Sequence, residues 1–332
     1  MTNKNTNWNC KPFLLKPTGK DYLWGGSRLN DEFGKEIPLT PLAETWECSI
    51  HPDGPSTVAS GEFQGKTLAE VLAKHPEYLG QRYPSGEFPL LIKFIDAKRD
   101  LSVQVHPDDA YAKTHENGQN GKSEMWYVLD AGKNSSLVYG LRHDCTEAQI
   151  RQFIADGTLE KHLQHVPIHP DDLFFIEAGT IHAIGAGALV AEIQENSNLT
   201  YRLYDYDRVD KNGKKRELHV DKAMAVANLK GSTEPRQPLR VLKYRPGVAS
   251  ELLSRCKYFE VYRMLLNTER RQQVQYQADE LSFRVLLCFG GCGTIRFDGG
   301  EIAFYKGDCI FVPARSAELT LSGQARFLDI RG

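Results

Sequence analysis

The 332-residue sequence has no marked excess of charge of either sign and no long apolar run. Its 41 basic and 43 acidic residues leave a formal net charge of −2, so no overall field draws it to nucleic acid or to an anionic membrane. The longest apolar stretches, such as FPLLIKFI at 88–95, are far shorter than the ~20 residues that span a bilayer. We therefore expect neither a nucleic-acid partner nor a membrane span.

Cysteine is also scarce, and its seven copies are odd in number and scattered: Cys10, Cys48, Cys145, Cys256, Cys288, Cys292 and Cys309. Residues 1–13 contain no apolar segment of the kind that a signal peptide needs. We therefore expect reduced thiols and a cytoplasmic location. Cys288 and Cys292 are close together, but no second Cys or His pair lies near them, which argues against a structural zinc site there.

Short strand-like runs separated by Gly, Pro, Asn and Asp are abundant, and they predict a mainly β fold of the sandwich or barrel type. With 41% hydrophobic and 25% charged residues, the chain has the composition of an ordinary globular protein. Two segments have helical signals, a Thr-x-x-Glu capping box at 67–75 and a period near 3.6 at 146–156, and we interpret them as insertions. The candidate strands before residue 240 are 46–50, 90–95, 101–106, 124–129, 137–140, 173–176, 189–193 and 200–204.

A Pro-punctuated stretch at 234–246 predicts a domain boundary near residue 240. Residues 1–240 contain the polar motifs, whereas residues 241–332 consist almost entirely of strand and turn patterns. No histidine follows His219, so we expect no second metal site of this kind. The second domain is therefore expected to support the first or to shape its rim.

The segment LSVQVHPDD places polar side chains on one face of a strand, because strand side chains alternate. Ser102, Gln104 and His106 share that face, and Val103 and Val105 share the other. Such a polar row suits an internal cavity, and taken alone it suits an exposed edge face equally well.

Two later segments extend this polar set. In GKSEMWYVL, Lys122 and Glu124 share a strand face with Trp126. In LFFIEAGTIHAIGAG, His182 follows a turn at Gly179 and begins another strand. Each residue has an ordinary alternative role, since most histidines bind no metal and Glu124 could pair with a surface lysine.

Together, Gln104, His106, Glu124 and His182 form a mixed nitrogen and oxygen donor set suited to zinc or another borderline divalent ion. The order of these motifs resembles the cupin arrangement, in which ligands from successive jelly-roll strands converge inside the barrel. The chain departs from the usual cupin pattern in two places: Gln104 replaces the first histidine of His-x-His, and Glu177-Ala178-Gly179 replaces Pro-x-Gly.

The combination of LSVQVHPDD, GKSEMWYVL, FFIEAGTIHAIGAG and EIQENSNLTYRLYDYDR resembles the type I mannose-6-phosphate isomerases (phosphomannose isomerases), in their short bacterial form. KDYLWGGSRL and AETWECSIHPDG extend the resemblance over most of residues 11–240. It implies two cupin-type jelly-roll domains, with helical insertions in the N-terminal one. It also implies an enzyme that interconverts mannose 6-phosphate and fructose 6-phosphate with one Zn²⁺ per chain, held by Gln104, His106, Glu124 and His182.

The resemblance further implies two catalytic side chains. Arg202 stands where the family has its active-site arginine, and a guanidinium is suited to neutralising an enediolate or holding a sugar oxygen. Lys122 matches the family lysine proposed for proton transfer. A surface ion pair for Arg202 and a structural salt bridge for Lys122 remain the alternatives.

Four further residues are expected to contact the substrate. Lys93 and Ser102 match family positions associated with the substrate phosphate, although Lys93 could instead be a solvated strand residue. Asn198 stands where members often have Asp, so it is expected to orient a group rather than to act as a base. Glu195 could compensate for that missing acid. Gly121 stands where long-form members have His before the lysine.

The expected chemistry is a cis-enediol route, preferred over a hydride shift. Zn²⁺ with a single carboxylate ligand retains a charge of about +1, which can polarise the sugar oxygens. Two other functions stay open: a metal-dependent bicupin oxygenase, which would usually have more histidine ligands, and a non-catalytic sugar-phosphate-binding cupin, which would not need Lys122 and Arg202. In each case we expect a small-molecule partner and a monomer or weak homodimer.

Overall fold

The chain folds mainly as β-structure, as predicted. The computed structural model describes residues 8–209, 212–232, 235 and 237–332. Strand accounts for 41% and helix for 14%. The strands are β1 (Phe13–Lys16), β2 (Thr18–Lys20), β3 (Glu44–Cys48), β4 (Thr57–Val58), β5 (Leu90–Ala97), β6 (Val103–Val105), β7 (Glu124–Ala131), β8 (Ser136–Leu141), β9 (Leu163–Pro167), β10 (Leu173–Ile176), β11 (His182–Ile184), β12 (Ala188–Glu195), β13 (Tyr201–Tyr204), β14 (Lys243–Arg245), β15 (Val248–Arg255), β16 (Glu260–Asn267), β17 (Val274–Tyr276), β18 (Arg284–Phe297), β19 (Gly300–Tyr305), β20 (Cys309–Val312) and β21 (Leu319–Arg331).

Five short α-helices interrupt the strands: α1 (Arg28–Phe33), α2 (Leu68–Lys74), α3 (Asp109–His115), α4 (Glu147–Ala155) and α5 (Val220–Val226). Two 3₁₀ segments lie at Pro76–Leu79 and Leu159–His162. Both predicted helices are confirmed, and each begins with a capping box, Thr67 with Glu70 at α2 and Thr146 with Gln149 at α4. The side chain of each threonine accepts the backbone N–H three residues on, which satisfies a donor that the first turn leaves free.

The strands form three sheets. The central sheet has six strands in the order β10-β7-β12-β5-β3-β2, and the outer sheet has five in the order β13-β6-β11-β8-β9. The C-terminal sheet has ten, with the path β14-β15-β16-β21-β18-β20-β1-β4 and with β17 and β19 paired to β21 and β18. The eight strands expected before residue 240 all occur, with ends that differ by no more than two residues.

The central sheet is covered on both faces, so every residue of β5 is buried. Ile92 and Phe94 pack in one cluster with Val285 of the C-terminal sheet. On the opposite face, Ile95 packs in a cluster with Ile184 of the outer sheet. Because side chains alternate along a strand, the parity of a residue on β5, β7 or β12 decides whether it faces the C-terminal sheet or the outer sheet.

The outer sheet is amphipathic in the way that its sequence predicts. Val103 and Val105 of β6 pack against Ile150 of α4 and Ala223 of α5 on the outside. Ser102 and His106, which have the opposite parity, are buried between the two sheets. The internal position is therefore correct for this polar row, and the exposed edge face is wrong.

The N-terminal strand ties the two predicted domains together. Strand β1 pairs with β20 through Phe13↔Phe311, Leu14↔Ile310 and Leu15↔Cys309, so residues from the start of the chain complete the C-terminal sheet. The boundary near residue 240 remains a prediction, and Glu234 and Arg236 of the stretch on which it rests lie outside the described residues. No helix among the described residues is long and apolar enough to cross a membrane.

Candidate metal centre and substrate cavity

Strand register brings the predicted residues together between the central and outer sheets. In the outer sheet, Gln104 of β6 is directly opposite His182 of β11 on one side and Arg202 of β13 on the other. Glu124 begins β7 in the central sheet and has the parity that faces the outer sheet. The four proposed ligands therefore come from both walls of one sandwich.

Three of the four ligands converge closely. Ligand atoms of His106, Glu124 and His182 all lie within 4.8 Å of one another. The Nε2 atom of His182 is 3.3 Å from Oε1 of Glu124, and Nε2 of His106 is 3.6 Å from Oε2 of the same carboxylate. All three side chains are at most 1% exposed. Among the residues that the structure describes, this is the one group of three or more such side chains with that geometry.

Gln104 lies at the edge of this group. Its Nε2 atom is 3.4 Å from Nε2 of His182. Because the oxygen and nitrogen of a glutamine amide have nearly the same shape, rotating the amide by half a turn brings the carbonyl oxygen to that position. The side chain can therefore supply the fourth donor that the sequence predicts.

The two histidines are held as neutral imidazoles. The carbonyl of Thr180 lies 2.8 Å from Nδ1 of His182 and accepts its proton, which leaves the Nε2 lone pair directed at the cluster. Burial lowers the pKa of His182 to about 4. Burial, together with the charge of Lys122, lowers the pKa of His106 well below its usual value.

Glu124 is the single carboxylate of the cluster. Burial and the nearby Glu192 raise its pKa to about 7, although Lys122 acts in the opposite direction. The ammonium of Lys122 lies 2.8 Å from Oε2 of Glu124 and 3.2 Å from Nε2 of His106. Two lone-pair nitrogens and one carboxylate thus face a single point in a buried space, which is the donor set that a divalent zinc-like ion prefers.

A cavity of about 270 Å³ opens beside the cluster. Its wall includes Lys122, Gln104, Ser102, Arg202 and Lys93, all of which the sequence singles out. Asn198 also lines the cavity, and its Nδ2 donates to Oδ2 of Asp53 at 2.8 Å. The amide oxygen of Asn198 is therefore the part left to accept a hydrogen bond from a ligand.

Lys93 is buried rather than solvated. Its ammonium lies 2.9 Å from Oε1 of Glu192 and 3.7 Å from Oε2 of Glu44. Trp126 donates to the other oxygen of Glu192 at 3.0 Å. Burial acts to raise the pKa of Glu192, but the charges of Lys93 and Lys122 and the hydrogen bonds from Lys93 and Trp126 together outweigh it, and the pKa falls to about 2. Lys93 therefore reaches the cavity with its charge already balanced by two carboxylates.

Glu192 and Glu44 line the cavity although no sequence motif indicated them, whereas Glu195 was predicted as a substrate contact that could compensate for the acid missing at Asn198. Glu195 lies on the opposite face of β12, does not line the cavity, and accepts the backbone N–H of Ser123 at 2.7 Å. The alternation of side chains along β12 distinguishes the two glutamates. Glu192 is an even number of residues from Val190, which packs towards the outer sheet, so Glu192 faces that sheet as well.

Arg202 is oriented by neutral partners. Its Nε donates to the hydroxyl of Ser102 at 3.2 Å, and its Nη1 donates to the carbonyl of Glu217 at 2.9 Å. No carboxylate of the described chain forms a salt bridge with it, so the surface ion pair considered for Arg202 is absent from that part of the chain. The salt bridge considered for Lys122 does occur, and its partner is the proposed ligand Glu124.

Comparison with known proteins agrees with this geometry. Residues 13–135 match the family model "Phosphomannose isomerase type I, catalytic domain", and residues 250–331 match "Mannose-6-phosphate isomerase, cupin domain". The chain is 38% identical over 320 residues to mannose-6-phosphate isomerase ManA of Bacillus subtilis, covering 95% of this chain and 97% of that protein. It is 37% identical over 305 residues to a mannose-6-phosphate isomerase of Streptococcus mutans, covering 92% and 93%.

A solved structure is also similar. The crystal structure of mannose 6-phosphate isomerase from Bacillus subtilis matches with a TM-score of 0.87 and 36% identity, covering 96% of this chain and 99% of that one. The likeness therefore includes both the strands that carry the cavity and the C-terminal sheet.

Proposed function

The chain belongs to the type I phosphomannose isomerase family, and we propose that it interconverts mannose 6-phosphate and fructose 6-phosphate at a Zn²⁺ ion through a cis-enediol. The observation that supports the proposal is the convergence of His106, Glu124 and His182 directly behind Lys122, which, like Arg202, lines the adjoining cavity. Gln104 completes the ligand set. Family membership favours this enzyme over the oxygenase and the non-catalytic binding protein.

The residues fit the ion. The carboxylate of Glu124 and the Nε2 atoms of the two histidines are buried and face one another, and Lys122 contacts that carboxylate. When bound, Zn²⁺ supplies Lewis acidity that polarises the carbonyl and hydroxyl oxygens of a sugar. Gln104, His106, Glu124 and His182 would hold it beside the cavity, between the outer and central sheets.

Lys122 is the proposed proton carrier. The reaction moves a proton from carbon 2 to carbon 1 and a second proton between the two oxygens, so a titratable group must lie beside these atoms. Lys122 is 4% exposed, lines the cavity and is held between His106 and Glu124. It is close enough to the ligands to reach a sugar bound there.

Arg202 is proposed to hold the oxygen on which negative charge develops. A guanidinium is charged at any working pH and needs no reorganisation as the charge appears. Ser102 and the Glu217 carbonyl fix two of its edges, which leaves Nη2 without an acceptor among the described residues. That edge can donate to an enediolate oxygen.

Substrate contacts are proposed for the remaining cavity residues. Ser102 accepts a hydrogen bond from Arg202, so its own proton is left to donate. Asn198 offers its amide oxygen to a sugar hydroxyl. Lys93 stays a predicted phosphate contact, but its two carboxylate partners suit it better to organising sugar hydroxyls than to attracting a dianion.

The proposal is tested by a coupled assay of mannose 6-phosphate isomerisation on chelated protein, before and after Zn²⁺ is restored. We expect activity to disappear on chelation and to return with Zn²⁺. His182→Ala is expected to abolish turnover and zinc retention, whereas the exposed His165→Ala serves as the matched control and should change neither. A normal rate with normal zinc content in His182→Ala would refute the ligand assignment. Oxygen consumption, or binding of the sugar phosphate without turnover, would instead support one of the two other functions.

A further inference from the structure

One end of the cavity has more positive charge than the proposed chemistry uses, because Arg216 lies there in addition to Arg202. Ser102, Arg202 and Arg216 line this part of the wall, and we refer to it as the arginine end. Arg216, which no sequence motif indicated, lies in the segment between β13 and α5. Its side chain is 24% exposed, so it is accessible from the cavity yet partly shielded from solvent.

Arg216 is held in one orientation by a buried carboxylate. Its Nε donates to Oδ2 of Asp205 at 2.8 Å, and its Nη2 donates to Oδ1 at 2.6 Å. Asp205 is only 5% exposed. This two-point contact fixes the plane of the guanidinium. The remaining nitrogen, Nη1, has no hydrogen-bond acceptor among the residues that the structure describes.

Asp205 does not balance the charge of this region by itself. Arg208 also donates to Oδ1 of Asp205, at 2.5 Å, so two guanidiniums share one carboxylate while Arg202 contacts none. Three guanidiniums and one carboxylate leave a net charge of about +2. Burial lowers the pKa of Arg202, and the positive charges of Arg216 and Arg208 lower it further, whereas Asp205 acts in the opposite direction without reversing the shift.

The other cationic side chains near the cavity are not equivalent. Arg208 does not line the cavity, and its Nε, Nη1 and Nη2 all donate to the carbonyls of Asp205 and Asp100 or to the Asp205 carboxylate. Lys93 lies between Glu192 and Glu44, and Lys122 contacts Glu124. An incoming dianion would therefore find its uncompensated positive charge at Arg216 and Arg202.

The arginine end is also at a suitable distance from the metal ligands. Ser102 and Gln104 lie two residues apart on the same face of one extended segment, which separates them by about 7 Å. The reacting carbons of an open-chain hexose 6-phosphate are separated from its phosphate by four carbons and one ester oxygen, a span of similar size. A sugar with its first two carbons near Gln104 would thus place its phosphate near Ser102.

From this geometry we infer that Arg216, together with the Ser102 hydroxyl that lines the same cavity, recognises the phosphate of the substrate and makes the site selective for phosphorylated sugars. The inference rests on the proposed function for the identity of the sugar. Guanidinium groups suit this task because two of their N–H groups can donate to one phosphate in parallel. Asp205 acts as the positioning residue that holds Arg216 towards the cavity.

Binding measurements on the zinc-loaded protein test the inference directly. The probes are inorganic phosphate and mannose 6-phosphate, titrated by calorimetry into the wild type, Arg216→Ala and Lys215→Ala. Lys215 is the matched control because it is the adjacent cation, is 62% exposed, pairs with Asp207 and does not line the cavity. We expect Arg216→Ala to weaken both affinities by about tenfold or more, as befits a lost hydrogen bond to a charged group. Lys215→Ala should stay within about twofold of the wild type.

Two further variants separate recognition from folding. Arg216→Lys keeps the charge but loses the planar fork, so we expect an intermediate affinity and an unchanged thermal unfolding midpoint. Asp205→Asn keeps Arg216 in the sequence but removes the carboxylate that fixes the plane of its guanidinium, so phosphate binding should weaken. Equal phosphate affinities in the wild type and in folded Arg216→Ala or Arg216→Lys would overturn the inference.

Steady-state kinetics distinguish this inference from the proposed function. If Arg216 acts through the phosphate, Arg216→Ala should raise the KM for mannose 6-phosphate more than it lowers kcat. Isomerisation with an unchanged KM in that variant would refute the role of Arg216 and leave the function standing. Arg216-dependent binding of mannose 6-phosphate without any isomerisation would refute the function and leave the role of Arg216 standing.

Discussion

The buried pair of Lys93 and Glu192 gives the sharpest test of how the cavity is held together. Lys93→Met removes the ammonium and keeps a chain of similar length. It leaves Glu192 and Glu44 buried without their shared cation, since Lys93 lies 2.9 Å from the first and 3.7 Å from the second. Glu192→Gln is milder because the amide oxygen can still accept from Trp126 and because Glu44 stays near the ammonium.

The expected magnitude follows from burial. Lys93 is 4% and Glu192 is 3% exposed, and removing one partner of a buried ion pair costs about 3–5 kcal/mol of unfolding free energy. We expect Lys93→Met to reach that range and Glu192→Gln to cost about 1–3 kcal/mol. The loss of unfolding free energy in the double variant should be smaller than the sum of the two single losses, by at least about 1 kcal/mol. The reason is that the charge which each single change leaves unpaired is absent from the double variant.

The assay is thermal or urea unfolding of the zinc-loaded protein at neutral pH, combined with isomerase kinetics. Lys35→Met is the matched control, since Lys35 forms an equally buried pair with Glu47 at 2.7 Å but does not line the cavity. It should lose comparable stability and keep its kcat and KM, whereas Lys93→Met should lose both stability and activity. Strict additivity of the two changes in the double variant, or a Lys93→Met protein as stable as the wild type, would refute the assignment of this pair.

Three other expectations follow from single sites. Gly121→His introduces the residue that long-form members have at this position. It should disturb Lys122 and reduce activity, because a Cβ there would lie 2.4 Å from the Asp108 carbonyl carbon. An activity equal to that of the wild type, or a crystal structure in which Lys122 is undisturbed, would contradict this expectation. Burial raises the pKa of Glu195 to about 7. The folded state therefore keeps a proton that the unfolded chain loses near pH ~4.3. As a result, the free energy of unfolding should fall by about 2–3 kcal/mol between pH ~4.5 and ~7. Glu195→Gln should flatten that slope in pH-dependent unfolding, and an unchanged slope would exclude Glu195 as its source. A thiol reagent should label the exposed Cys292 fastest in the native protein, with no disulfide to reduce first. Rapid labelling of the buried thiols of Cys48, Cys288 and Cys309 would contradict the fold.

The parts of the site that could be predicted from the sequence depend on local periodicity. Ser102, Gln104 and His106 share a face because they are two residues apart in one extended segment, and the valines between them needed an apolar cover. The capping boxes at Thr67 and Thr146 likewise lie within four residues of sequence. Such patterns identify which side chains point the same way, but not what they point at.

The partners of these side chains depend on contacts between distant segments. Lys93 meets Glu192 and Glu44 because β5 lies between β12 and β3 in the central sheet, an order that the separate strand patterns do not specify. Arg216 reaches the cavity from a segment with no strand or helix periodicity. The run FPLLIKFI did contain one usable signal, since a lysine inside a strand that is apolar on both faces must find buried counter-charges.

The C-terminal sheet has a physical reason to exist although it contributes no ligand to the metal centre. Side chains of one parity on the central sheet, such as Phe94, Met125 and Ile193, are wholly buried in the cluster that includes strands of the C-terminal sheet. Side chains of the other parity face the outer sheet, among them Glu192, which lines the cavity, and Glu124, which lies beside His182. A strand can hold charged groups at fixed positions on one face only if its other face is packed well enough to fix the backbone. Apolar packing against the C-terminal sheet therefore determines how accurately the carboxylates of β7 and β12 are held towards the outer sheet, where we propose that the ion and the sugar bind.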